Sequence, residues 1–310
     1  MPYNDQAVSQ LAQLAHAVVA DSGLGQLFVR PFESGTVAHE EECDMVANGV
    51  DDGSPTSMLS IRAMLDAHAR AALEHLRASV IMLDRSRAEP PLLSIAALGR
   101  ISCEASATAF WLADPGIGWR DRLARCSGLQ RHALHRRVKQ GQLQVDLFET
   151  SPNRQALGQL RTNVSEMDEW CEQMGLEYVG KPSYTHLMQE LAESDGQDSA
   201  RAGGLFYALG SDSVHSDPLT VEHALGGLSP VASTYSAALK IQASLRCWRW
   251  LHLRICGWAG WEPAADPVAT SEHITHSLMM DHLGDVARLP WPREDIMGYI
   301  QHLQELLGQP

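Results

Sequence analysis

The clearest pattern along the chain is a helical alternation of apolar and polar positions that begins at Ser57. Apolar residues recur there at spacings of three and four, which predicts an amphipathic helix that continues to about residue 83. The positions that carry the pattern are Ile61, Met64, Leu65, His68, Ala72, His75, Leu76, Val80 and Leu83. Two histidines, His68 and His75, therefore share the apolar face of this predicted helix.

Segments with the same period follow along most of the chain. Pro90 and Pro91 mark the start of a second helix that runs to about Ala113, because proline is tolerated in a first helical turn. The other predicted helices span about 119–140, 153–174, 183–194, 198–215 and 221–256, the last with a break near 226–230, and a final one begins after Pro292. A strand-like alternation occurs only at 141–148. The sequence therefore predicts an all-α fold, a multi-helix bundle with long helices.

The N-terminal part of the chain has a different pattern. Residues 5–20 predict a short helix, whereas residues 30–57 are acidic, contain Pro, Gly and Ser, and have no apolar period. We therefore predict an N-terminal region, residues 1–56, with a short helix and a flexible, irregular acidic linker. The helical bundle domain is predicted over residues 57–310.

The net charge limits the kinds of molecule that the protein is expected to bind. A formal charge of −14 disfavours binding to nucleic acid and to anionic membranes. The exception is a basic helix, Arg120–Arg137, in a segment (118–140) that holds six Arg and one Lys against Asp121 alone. This helix is suited either to phosphate binding or to pairing with the acidic remainder of the chain. No stretch of about eighteen apolar residues predicts a membrane helix.

The cysteines and the first residues predict the compartment. The six cysteines form no CxxC pair and have no histidine at zinc-finger spacing, so we expect no zinc site. The N-terminus lacks the basic and apolar regions of a secretory signal, which predicts a cytoplasmic protein with free thiols. We expect no cofactor and no metal ion. The oligomeric state stays open, a homodimer included.

An ionisable pair lies in the middle of the second predicted helix. That helix is apolar on every side, which predicts that it is buried. Arg100 and Glu104 are four residues apart on it, and we expect them to pair because an isolated buried charge is costly. In one interpretation the pair joins helices as a structural ion pair. In the other it lines a pocket and orients an acid, a base or a ligand.

A second polar stripe is predicted near the end of the 198–215 helix. Tyr207, Ser211 and His215 are four residues apart, so they share one side of a helix. A serine next to an imidazole is compatible with a nucleophile and its base, but no G-x-S-x-G elbow is present, and a satisfied helix-terminal histidine is the alternative. Because buried polar groups need partners, we predict that this stripe faces Arg100 and Glu104.

The two helix histidines have a similar pair of interpretations. His68 and His75 are compatible with metal ligands, yet the Glu-x-x-His pattern of diiron bundles is absent from the chain. They are therefore predicted as secondary candidates for a polar site rather than as a metal centre.

Two motifs carry a resemblance to a known group of proteins. Residues Arg100, Glu104, Trp111, Leu112, Asp114 and Pro115 resemble an Arg-x-x-x-Glu and Trp-Leu-x-Asp-Pro motif of uncharacterised all-helical proteins common in actinobacteria. The run Tyr207, Ser211, Val214 and His215 resembles a second motif of that group, with Gly210 where leucine is usual. The resemblance spans about residues 58–256. It implies an α-helical domain of unknown function that is distantly similar to the HEPN group, which includes ribonuclease toxins and their inactive relatives.

Two functions are compatible with these features. The first is a cytoplasmic helical protein whose polar pocket binds a small ligand or a partner chain without catalysis. The second is a HEPN-like nuclease or other helical enzyme, in which a histidine acts as acid or base and Arg100 stabilises an anion. The residues of the candidate site are Arg100, Glu104, Tyr207, Ser211 and His215, with His68 and His75 as secondary candidates.

Overall fold

The computed structural model describes residues 5–21, 30–86, 90–194 and 230–263, together with positions 270–278 except 272 and 276. Within these residues the regular secondary structure is helical, which confirms the all-α, multi-helix prediction. The main helices are α1 (Asp5–Asp21), α2 (Val37–Ala47), α3 (Met58–Arg85), α4 (Leu92–Leu112), α5 (Trp119–Leu147), α6 (Ser151–Met174), α7 (Tyr184–Glu193) and α8 (Pro230–Ala259). The helices predicted at 198–215 and after Pro292 lie outside the described residues. So do residues 226–229 of the predicted break, whereas Pro230 is the first residue of α8.

Helix α4 is the centre of the described fold. It packs against α3 on one side and α8 on another, and α7 covers part of the remainder. Small side chains allow the close approach to α8: a Cβ at Gly99 would already touch the Ser244 hydroxyl at 3.4 Å. Ser102 donates a hydrogen bond of 2.8 Å to the Ala72 carbonyl in α3, so a polar group within α4 is satisfied. The prediction that this helix is buried on every side is confirmed at most of its positions.

Capping residues explain where several helices begin. The side chains of Ser57, Thr150 and Ser183 each accept a hydrogen bond from the backbone N–H three residues on, so a free donor of the first turn is satisfied. Helix α6 ends at Gly175, which has a φ of +62°, a left-handed conformation that glycine adopts without strain. These caps agree with the boundaries expected from the sequence to within a few residues.

Helix α5 is longer than predicted. It continues to Leu147, so the strand-like alternation at 141–148 belongs to a helix and its cap, and the prediction of a strand candidate was wrong. The reason is the neighbouring helix: at Gly141 the chain comes so close to α6 that an added Cβ would lie 3.4 Å from the Leu157 side chain. Pairing with α6 therefore decides the conformation of a segment whose own pattern is ambiguous.

The acidic segment before Ser57 contains a regular element that was not predicted. The sequence predicts an irregular linker there, whereas α2 occupies Val37–Ala47 within it. Thr36 caps this helix by accepting from the His39 N–H at 3.4 Å. Its buried residues include Glu41 as well as Ala38 and Met45, so a carboxylate occupies a core-facing position and obscures the apolar period. The flexibility of the segment and the domain boundary near residue 57 stay predictions.

A fully buried guanidinium joins α2 to α5. Arg122 has no exposed surface, and its Nε donates to Oε2 of Glu41 at 2.8 Å. The same carboxylate oxygen accepts from the Trp258 indole N–H in α8 at 3.1 Å. One buried ion pair therefore fixes α2, α5 and α8 relative to one another.

The same arginine is one of three that satisfy the C-terminal end of α4. The last carbonyl groups of a helix lack intrahelical donors and carry partial negative charge, so cations are favourable there. Arg254 donates to the Phe110 carbonyl, Arg125 to that of Trp111, and Arg122 to those of Leu112 and Asp114.

Within the described residues, none of the helices is both long and apolar enough to cross a membrane.

Removing the buried carboxylate should strongly destabilise the protein. We expect Glu41→Ala to lower the free energy of unfolding by about 3–5 kcal/mol, because the charge of Arg122 would stay buried without its carboxylate. The matched control is Glu149→Ala, which breaks the exposed pair with Arg154 and should cost less than about 1 kcal/mol. Urea unfolding of both variants measures the difference. Equal effects of the two substitutions would contradict the proposed role of Glu41.

Candidate functional site

The structure brings three of the predicted site residues into one neighbourhood with two that were not predicted. His68 lies on α3, Arg100 and Glu104 on α4, Lys181 in the segment between α6 and α7, and Tyr184 in the first turn of α7. We call these five residues the polar cluster. Electrostatic interactions link its members: the charge of Lys181 acts on His68, and that of Glu104 acts on both Lys181 and Tyr184.

The Arg100–Glu104 pair forms as expected from its spacing. The Arg100 Nε donates to Oε1 of Glu104 at 2.6 Å, and the two side chains are only 13% and 16% exposed. The Thr108 hydroxyl donates to the Glu104 backbone carbonyl at 2.8 Å, one turn further along α4. A charge-assisted hydrogen bond that is largely removed from water is strong and well oriented, so the carboxylate has a fixed position.

Lys181 lies against an aromatic ring at the edge of the cluster. Its Nζ is 3.0 Å from the ring centroid of Tyr184, a cation–π contact. Burial lowers the pKa of Lys181 to about 8, although the nearby Glu104 carboxylate acts in the opposite direction. Burial also raises the pKa of Tyr184, as does the charge of Glu104. The ammonium is thus partly desolvated, and no carboxylate of the described residues lies within salt-bridge distance of it.

His68 is a neutral imidazole at pH 7. Burial lowers its pKa to about 4, and the positive charge of Lys181 acts in the same direction. A neutral ring both donates and accepts hydrogen bonds, so His68 contributes a polar group to the cluster without adding charge.

The segment that carries Lys181 is held against α5 by a close backbone approach. The Val179 N–H donates to the Ala124 carbonyl at 3.4 Å. A side chain at Gly128 would clash with the Val179 carbonyl oxygen, so this approach requires glycine. Nearby, the Tyr178 hydroxyl donates to Asp168 at 2.6 Å, which anchors the segment to α6 as well. Both contacts fix the backbone just before Lys181.

The other predicted candidates have different outcomes. The ring of His75 bonds within α3 itself, where its Nδ1 lies 2.6 Å from the Ala71 carbonyl oxygen. Tyr207, Ser211 and His215 lie outside the described residues, so their predicted position opposite Glu104 stays a prediction.

The basic helix and the Trp-Leu-x-Asp-Pro motif have structural contacts. Arg122 and Arg125 of the basic helix bind carbonyl groups at the end of α4, which is where the motif lies. Asp114 of the motif accepts from the Gly116 N–H at 3.0 Å and lies 3.5 Å from Arg125. These contacts account for the spacing of the motif without assigning it a chemical role.

Sequence reasoning missed Lys181 and Tyr184. The available signal was compositional, because the chain has 21 Arg and only 3 Lys, and one of the lysines lies next to Pro182 in a short break between helices. Its approach to α4 depends on contacts between residues more than seventy positions apart, which no local pattern reveals.

The neighbourhood of Lys181 contains two further cations. Arg100 binds Glu104, whose charge also acts on Lys181, and the charge of Arg136 in α5 reaches Tyr184. Across the part of the chain that the structure describes, no group of three or more His, Cys, Asp or Glu side chains is arranged to hold a metal ion. Lys181, which is partly desolvated and has no carboxylate of the described residues within salt-bridge distance, is therefore suited to contact an anionic group.

Comparison with known proteins found no relative, since no protein-family model, no curated protein and no solved structure matches the sequence.

Substitution at Gly128 should disturb the segment that positions Lys181. We expect Gly128→Ala to destabilise the protein by about 1–3 kcal/mol, because the added methyl group meets backbone rather than a flexible side chain. Gly158→Ala is the control: it lies in α6 with open space around it and should stabilise by about 0.5–1 kcal/mol. Thermal and urea unfolding measure both. The interpretation fails if the two substitutions change stability in the same direction.

The lowered pKa of His68 predicts a pH dependence of stability. Between pH 6.5 and about 4 the unfolded chain binds a proton that the folded chain does not, so stability falls as the pH falls through that window. Relative to His68→Gln, the wild type should lose roughly 1 kcal/mol per pH unit there. Urea unfolding at several pH values measures this slope. His68→Leu should abolish it equally, and parallel curves for wild type and variants would contradict the burial of His68.

Proposed function

We propose that the protein binds a small anionic ligand, a carboxylate or a phosphate ester, at the polar cluster, without catalysing a reaction. The observation that carries the proposal is the position of Lys181: its half-buried ammonium lies beside the Arg100–Glu104 pair, and no carboxylate of the described residues is within salt-bridge distance of it. This locally positive position contrasts with a chain whose formal charge is −14. A locally positive, partly desolvated site attracts anions, whereas the acidic remainder of the protein repels them. Anion binding is therefore directed to that site.

Lys181 is the residue whose protonation a bound anion would change most. Burial lowers its pKa to about 8, which means that the folded protein holds this ammonium at a free-energy cost. An anion beside Nζ would favour the charged form and raise the pKa again. Arg100 keeps its charge at every accessible pH and would give the ligand a second, constant attraction.

The pH dependence of anion binding tests this role. We expect sulfate and acetate, whose charges do not change between pH 7 and pH 9, to bind about tenfold more weakly at pH 9, since Lys181 is then mostly neutral. Isothermal titration calorimetry measures both affinities. Lys181→Met should weaken binding at pH 7 by about tenfold and remove the pH dependence.

A matched lysine provides the control. Lys139→Met removes an exposed lysine of α5 that does not belong to the polar cluster, and it should leave the affinity within about twofold of wild type because the charges of exposed side chains are screened by salt. The proposal is wrong if neither anion binds, or if the two methionine variants behave alike. Native mass spectrometry of the purified protein then identifies any co-purifying ligand and separates a free metabolite from an acidic group on a partner chain.

The alternative function is a HEPN-like nuclease or another helical enzyme, as the sequence motifs suggest. Its support is a neutral imidazole, His68, near a cationic amine and the Arg100–Glu104 pair. However, the pKa of His68 is lowered to about 4 and that of Tyr184 is raised, so neither group is tuned for proton transfer near pH 7. Cleavage of a labelled RNA that is lost in His68→Gln would favour the enzyme over the binding protein.

We place this function in the cytoplasm. All six cysteines are free thiols and five of them are buried, which suits a reducing compartment. Localisation of the protein with a fluorescent tag tests the placement.

A further inference from the structure

The distal parts of α5 and α6 form an arm, which we define as residues 131–165. The buried residues of α5 all lie between Arg122 and Ser127, so the remainder of this helix has no fully buried position. Beyond that point α5 packs against α6, and α6 makes its main helix contacts with α5. The arm is thus a helical hairpin whose outer faces are open to solvent.

The arm has the opposite charge to the rest of the chain. It contains six Arg or Lys residues against Asp146 and Glu149, a net charge of +4, which leaves −18 on the remainder of a chain whose total is −14. Arg131, Arg154 and Arg161 bond to neighbouring side chains. Arg136, Arg137 and Lys139 are exposed and have no salt bridge to a described residue.

The tip of the arm is apolar. Leu143, Leu147 and Phe148 are 61%, 73% and 66% exposed, and they follow the basic side chains along α5. Three large apolar side chains at one end of a surface element mark a protein-binding surface more often than a nucleic-acid surface. The exposed cations of the arm, which are Arg136, Arg137, Lys139, Arg154 and Arg161, are also fewer than the roughly 6–10 phosphate contacts typical of a DNA-binding protein.

An acidic surface of the described structure complements the charge of the arm. Glu40 and Asp44, four residues apart on α2, are exposed on one side of that helix, and Asp51 and Asp52 are exposed in the turn after it. We call these four residues the α2 patch.

An arm cannot reach the α2 patch of its own chain. Glu41 in α2 contacts Arg122 near the start of α5, whereas the tip residue Leu147 lies roughly 37 Å further along the same helix at about 1.5 Å per residue. The complementary surfaces are therefore available only to a second molecule.

We propose that the protein forms a two-fold dimer in which the arm of each copy docks on the α2 patch of the other. The exposed cations of the arm face the acidic side chains of the patch. A two-fold axis makes both contacts equivalent and closes the assembly at two copies. Opposite charges at the contact speed association and fix its register.

Charge-reversal variants mixed in solution test the dimer. Sedimentation equilibrium at about 50 mM NaCl should give a dimer for wild type, with a dissociation constant about 10- to 30-fold larger for Arg137→Glu and for Asp44→Arg, because each variant changes both contacts. An equimolar mixture of the two variants should recover the wild-type dimer. In the mixed dimer the introduced glutamate meets the introduced arginine at one contact, and the native pair remains at the other. High salt should weaken every dimer.

Arg77→Glu is the control variant. It reverses an exposed charge on α3, outside both surfaces, and should leave the dissociation constant unchanged. The proposal is overturned if wild type is a monomer at about 100 µM, if Arg77→Glu acts like Arg137→Glu, or if the mixture stays as weak as its components. A monomeric wild type that binds a fluorescent oligoribonucleotide, with binding lost in Arg137→Glu, would instead assign the arm to nucleic acid. Circular dichroism checks that each variant is folded.

Discussion

The described fold depends on how the C-terminal end of α4 is satisfied. A helix that is buried on nearly every side cannot leave its last carbonyl groups to water, so it needs donors from the protein. Three arginines supply them, and one of these, Arg122, is itself so deeply buried that it requires the Glu41 carboxylate. These contacts hold three other helices at this end of α4: α5 provides Arg122, α2 provides Glu41, and α8 provides Arg254. The packing of the centre and the position of the N-terminal acidic segment are thus consequences of one helix end.

This arrangement also decides where the polar cluster can form. With the first turns of α5 held at the end of α4, the segment after α6 returns along α5 and passes Gly128 at backbone distance. The path ends with Lys181 and Tyr184 beside the Arg100–Glu104 pair, at the middle of α4. The long hairpin between these points has its basic and apolar surfaces exposed. The polar cluster and the arm therefore both depend on how α5 is positioned.

Much of the fold was predictable because its signals are local. The apolar period of α3, the proline start of α4 and the Thr150–Pro152 start of α6 each depend on neighbouring residues, and the spacing of Arg100 and Glu104 sufficed to predict their pair. The unpredicted features depend on distant contacts. Glu41 faces the core because it pairs there with Arg122, and residues 141–147 are helical because α6 lies beside them. Lys181 joins the site through a backbone contact more than fifty residues from its own position. The predicted partners Tyr207, Ser211 and His215 belong to the part of the chain outside the described residues.

The position of α8 in the chain has a consequence for synthesis on the ribosome. Glu41 is synthesised before Arg122. Both residues of this buried ion pair are therefore present as soon as Arg122 has emerged from the ribosome. Trp258 and Arg254, in contrast, follow Arg122 by more than 130 residues, which corresponds to roughly 7–27 s of translation. During that interval the face of α4 that α8 will cover is exposed on the nascent chain. Because exposed apolar surface promotes aggregation, we expect chaperone binding to protect the nascent chain during this interval.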